Sequence, residues 1–73
     1  MEKENRRVRY TKMVLRESLL SLLEKKPISK ITVSELCQIA DINRGTFYSY
    51  YQDVFDLLEK IEDEFYLSIF TSI

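Results

Sequence analysis

Seventy-three residues with 45 % apolar side chains, a single glycine and a single proline suit one small helical domain, near the lower size at which a core outweighs chain entropy. One cysteine and no histidine exclude a disulfide framework and a Cys/His zinc site and remove the usual general base; with no Ser, Cys or Lys in a nucleophile motif, neither enzyme activity nor a metal or cofactor is expected. The net charge of −1 is unevenly spread, ten Lys/Arg against six Asp/Glu over residues 1–50 and one Lys against six acids over residues 51–73, so the first two-thirds suits a polyanion.

The chain opens on EKENRRVR, residues 2–9, charged and without a helical apolar period, and the expectation is a mobile basic arm over 1–9. From Tyr10 to about Lys25 the leucines Leu15, Leu19, Leu22 and Leu23 fall at i, i+4, i+7 and i+8, flanked by Met13 and Leu20, which predicts a first helix with Thr11 as its cap. Lys25 and Lys26 suit its negative end, and Pro27 biases Lys26 away from helical geometry, leaving 28–31 as a connection.

Thr32 followed by Glu35 is a capping box that opens a second helix over about Val33–Ala40, with Val33, Leu36, Cys37 and Ala40 on its apolar face and Cys37 a small core residue. Asp41-Ile42-Asn43 is a turn, since Asp tolerates left-handed backbone and Ile42 is an apolar plug. Asn43 caps a third helix that runs to about Tyr51. There 100° per residue sets Phe47 and Tyr51 inward and spreads Gly45, Thr46, Ser49 and Tyr50 over the other side. Gly45 costs that helix about 1 kcal/mol relative to alanine, so something other than helix stability asks for it.

Asp53 with Asp56 opens a fourth helix from Val54, carrying Leu57, Leu58, Ile61 and Phe65 at helical spacing and running toward Ile73 with no stop signal. Its apolar ending, Leu67, Ile69, Phe70 and Ile73, is expected to continue into a longer protein. No repeat or low-complexity tract interrupts the chain. No stretch approaches the roughly 18 apolar residues of a membrane span, and no signal peptide opens it, so a cytoplasmic location without membrane contact is expected.

Two short helices on a tight turn after a longer one are the requirements of a helix-turn-helix DNA reader. The fold expected is therefore all-α: a three-helix, homeodomain-like helix-turn-helix DNA-binding domain over 10–58, its reading unit at 33–51, with the start of a fourth helix at 54–73. Gly45 would let the backbone approach the duplex, and Thr46 offers a hydroxyl and a methyl. Arg44, near the helix start, has the fork that suits guanine O6 and N7. The Tyr48 phenol can bond a phosphate while its ring covers the core, and Ser49 and Tyr50 share the exposed side. Asn43 and Thr32 join the candidate set at the two caps, although the Thr32 hydroxyl serves its own cap; backbone N–H groups at Val33 and Ser34 can receive a phosphate. Arg6, Arg7, Arg9 and Lys12 would follow phosphates or enter the minor groove. Each has a plainer role too: Arg44 as a solvated cation, Gly45 as a close contact between helices, Tyr48 and Tyr50 as core rim, and the basic segment as a solubilising tail.

Thr32, Leu36, Cys37, Ala40 and Ile42, then the run Arg44-Gly45-Thr46-Phe47-Tyr48, Tyr51 and Leu57-Leu58, fall in a pattern that resembles the N-terminal DNA-binding domain of TetR-family bacterial transcription regulators. The resemblance covers about Val8 to Leu58. It implies a homodimeric transcriptional repressor, or less often an activator, held together by a C-terminal domain outside these residues, that binds a palindromic double-stranded operator and is released when a small-molecule effector enters that domain. It also implies DNA contact at the Val33 backbone and at Arg44, Gly45, Thr46, Tyr48, Ser49 and Tyr50. Asp41 stands where a turn glycine is usual in that family, Tyr50 where histidine is common, Val54 where a phosphate-binding lysine usually opens the fourth helix, and Pro27 where a glycine usually follows the first. The alternative from another class is a helical protein-interaction module without DNA readout.

Overall fold

The computed structural model describes residues 6–72, with side chains described through residue 67. It contains four α-helices, α1 (Arg6–Leu23), α2 (Val33–Ala40), α3 (Arg44–Tyr50) and α4 (Val54–Ser72), with a 3-10 turn at Ile28–Lys30 and no strand among the described residues. The fold is all-α, with α1 packed on α2 and α4, and α2 on α3.

The leucine stripe of α1 supplies Leu15, Leu19 and Leu22 to the core. Against it lie Ile31, then Leu36, Cys37 and Ala40 of α2, Phe47 of α3, Tyr51, and Val54 and Leu57 of α4. Helices of seven and eight residues are marginal in water on propensity alone, so α2 and α3 hold their shape by this burial and by their caps. Both caps form. The Glu35 amide donates to Thr32 Oγ1 at 3.0 Å, and the Gly45 amide donates to Asn43 Oδ1 at 2.6 Å.

Two expectations at the N-terminus are corrected. Arg6 to Arg9 are not an arm but the first turn of α1. Thr11 is no cap but a buried residue of that helix, on the side facing the core. The charged segment lacks an apolar stripe of its own, and it is helical because it continues one whose buried residues begin at Thr11. The expected arm's residues 1–5 lie outside the described residues, as do the side chains of Ile69, Phe70 and Ile73 in the expected apolar ending. At its other end α1 stops at Leu23, and the Lys25 and Lys26 amides both donate to the Leu22 carbonyl before Pro27.

Candidate nucleic-acid interface

The turn between α2 and α3 sets the pose of everything that follows. Asp41 has φ 59° and ψ 46°, left-handed, and is the one non-glycine residue with positive φ among the described residues. Its amide donates to Gln38 O at 3.3 Å, and the next amide, of Ile42, donates to Cys37 O at 2.9 Å. This pair of bonds closes a Schellman motif, with Ile42 as the apolar residue that packs back on the core. The chain leaves α2 through this turn and reaches Asn43, which caps α3.

In α3, Phe47 is fully buried and Tyr51, just past the helix end, is nearly so. Their ring centroids lie 5.5 Å apart. With that side anchored, Arg44, Gly45, Tyr48 and Ser49 are exposed. The Tyr48 ring meets Phe47 edge-on at 5.4 Å and 89° while the side chain stays 56 % exposed, so it covers the core and faces solvent at once. Ser49 Oγ donates to the Gly45 carbonyl at 3.1 Å.

Thr46 and Tyr50, expected on the outer side, are half-buried at its flanks. Tyr50 packs against the core cluster, and the Lys12 ammonium lies 5.4 Å from its ring centroid. That cation–π contact ties α1 to α3. Gly45 faces outward, and a Cβ there would meet only Asn43 Oδ1, at 3.0 Å, so no second helix requires the glycine.

At the start of α2, Ser34 is exposed, Val33 half-buried, and the Thr32 hydroxyl is engaged by its cap. Lys26 Nζ bonds Glu35 Oε2 at 2.7 Å, tying the loop after α1 to the first turn of α2. Between α2 and the beginning of α3 lies an open concavity of about 630 Å³ bordered by Ser34, Gln38, Asn43 and Arg44, with Cys37 at its floor. Burial raises the Cys37 pKa, against a smaller opposite pull from the Arg44 guanidinium. Burial thus favours the neutral thiol, as suits a small packing group of the core.

Arg9 and Lys12 sit on α1, well away from this groove in sequence. They line a second open concavity with Arg6, Arg16 and, from α4, Glu64. Arg16 and Glu64 escaped the sequence reading. Extending α1 back to Arg6 would have exposed the arginine spacing, whereas no local signal announces Glu64. Among the described residues no cluster of His, Cys, Asp or Glu is arranged to hold a metal, and no helix is long and apolar enough to cross a membrane.

Comparison with known proteins gives one point of reference. Over 50 residues the chain is 36 % identical to an uncharacterised HTH-type transcriptional regulator, YxbF, of Bacillus subtilis (strain 168). The match takes in 68 % of this chain but only 13 % of that regulator, so the chain corresponds to a small part of its length. No family model matches the chain, and no solved structure matches it significantly. The similarity agrees with the helix-turn-helix of α2 and α3. It names that class and no finer family.

Proposed function

We propose that this chain is the DNA-binding portion of a transcription regulator, with α3 entering the major groove. One observation carries the reading: Phe47 and Tyr51 pin one side of α3 into the core while Arg44, Gly45, Tyr48 and Ser49 face solvent, with no helix over them among the described residues. A short helix presented in this way, on a tight turn after another, is what groove reading requires. The likeness to an HTH-type regulator supports it independently.

In this reading Arg44 reads a base edge and Tyr48 bonds a phosphate. Gly45 admits the duplex backbone, Ser49 and Thr46 border the contact, and Asn43 fixes the helix start. Ser34 and the Val33 amide receive a phosphate at the start of α2, with Thr32 holding that end in shape. Arg9 and Lys12 add backbone contacts from α1. The residue pattern of α2 and α3 favours the TetR type: a ligand-responsive repressor, dimeric on a palindromic operator, with α4 leading to an effector-binding domain.

The test is a gel-shift titration at two salt concentrations, using duplexes selected from a random pool. Arg44→Ala is expected to lower affinity about tenfold or more and to relax one base position, as for a bidentate contact worth about 1–3 kcal/mol. Tyr48→Phe should cost less and evenly across sequences. Indifference to both substitutions would transfer the function to protein docking, a reading favoured by the exposed Phe55, Phe65, Tyr66 and Leu67 of the acidic α4.

A further inference from the structure

Along one side of α1, Arg6, Arg9, Lys12 and Arg16 recur at steps of three, three and four residues, which at about 1.5 Å per residue strings four cations over about 15 Å. They line one open concavity of about 630 Å³, in which the single acidic lining residue is Glu64 of α4. This stripe adjoins α3, because Lys12 rests on the ring of Tyr50. At its far end Arg16 Nη1 lies 3.5 Å from Glu64 Oε1, with the two side chains 39 % and 69 % exposed. A pair that long and that wet is loosely held, and a competing anion can displace the carboxylate.

We infer that the α1 stripe is a surface for the phosphate backbone of duplex DNA, extending as far as Arg16, and that Glu64 stands in for a phosphate at its end and competes with DNA for that arginine. The inference rests on the DNA reading of α3 and enlarges it in two ways: a longer footprint, and an acid on α4 that weakens it. A guanidinium fork takes carboxylate and phosphate oxygens by the same geometry, so Glu64 and a phosphate are alternatives for one partner. Each phosphate neutralised by a cation steepens the dependence of log affinity on log salt by about 0.9.

The experiment is a salt titration of the chain with a short random-sequence duplex, followed by fluorescence anisotropy. Glu64→Gln keeps the shape and removes the charge. It should steepen the slope by about one unit and raise low-salt affinity severalfold. Adding Arg16→Ala to Glu64→Gln should cancel that gain. Glu62→Gln, on the same helix but outside the concavity, measures the effect of net charge alone, and circular dichroism checks that every variant stays folded. Equal effects of Glu64→Gln and Glu62→Gln would overturn the competition, as would a gain that survives Arg16→Ala. If the wild-type chain fails to bind the duplex even at low salt, the DNA reading of α3 falls and this inference with it.

Discussion

The amide of Gly45 donates to the side-chain oxygen of Asn43 at 2.6 Å, and that same oxygen is what a Cβ on residue 45 would meet, at 3.0 Å. Gly45→Ala therefore sets two effects of similar size against each other. Alanine favours the helix by up to about 1 kcal/mol, while a displaced cap costs about 0.5–2 kcal/mol. The expected outcome is a net stability change within about 1 kcal/mol in urea denaturation. Asn43→Ala, which loses the cap without compensation, should destabilise by about 1 kcal/mol. In the proposed groove-reading pose, a Cβ on the exposed Gly45 should weaken DNA binding in a gel shift while circular dichroism shows the variant folded.

Asp41 occupies a left-handed conformation at φ 59° because the Schellman turn that launches α3 demands it. Aspartate tolerates this better than most side chains, but glycine bears no penalty there. Asp41→Gly should raise stability by about 0.5–1 kcal/mol, seen as a higher urea midpoint with unchanged slope. Asp41→Val, β-branched in the same conformation, should lose at least as much.

The bounds of α2 were legible to the residue because punctuation marks both ends: a capping box at Thr32 and a left-handed-tolerant Asp41. The start of α1 was not, since Arg6 to Arg9 carry no apolar period and are helical only as an extension of a stripe buried further along. Within α3, helical spacing found the anchor, Phe47 and Tyr51. It set Tyr50 and Thr46 on the outer side, where both are half-buried; for Tyr50, which packs on the core and under Lys12 of α1, the plainer role as core rim is the one the structure shows. The pairing of Arg16 with Glu64 joins residues 48 positions apart on two helices, and only the packing of α1 against α4 creates it.

Lys26 and Glu35 meet at 2.7 Å with each side chain about one-third exposed, so water screens part of their attraction. Glu35→Gln should cost no more than about 1 kcal/mol, and the difference from wild type should shrink at about 1 M salt, where charges are screened within about 3 Å. Thr32→Ala removes the neighbouring cap instead, a neutral hydrogen bond. Its cost, also about 1 kcal/mol, should be insensitive to salt. Thermal melts of both variants at low and high salt separate the two contributions at one helix start.

Asp56 is expected to add a small, pH-dependent contribution at the start of α4. Its Oδ1 accepts from Lys60 Nζ at 2.8 Å and its Oδ2 from the Gln52 amide at 3.0 Å, at the mouth of α4. The hydrogen bond from Lys60 comes first among the influences that hold its pKa below the ordinary aspartate value, and the Gln52 amide comes second. The same contact chiefly raises the Lys60 pKa. A carboxyl whose folded pKa is depressed stabilises the fold above its unfolded value and loses that contribution as pH falls through the folded one. For Lys60 the sign reverses: its contribution is complete below the ordinary lysine value and is lost as pH rises through the raised one. The pair's contribution, small because both groups meet water, is therefore expected across the neutral range and should fade at both extremes. Asp56→Asn keeps an acceptor for the Gln52 amide but discards the charge. Its melting temperature should lie below that of wild type at neutral pH and converge with it in strong acid, where the native carboxyl is protonated too. A gap that persists undiminished in strong acid would assign the role of Asp56 to hydrogen-bond geometry alone.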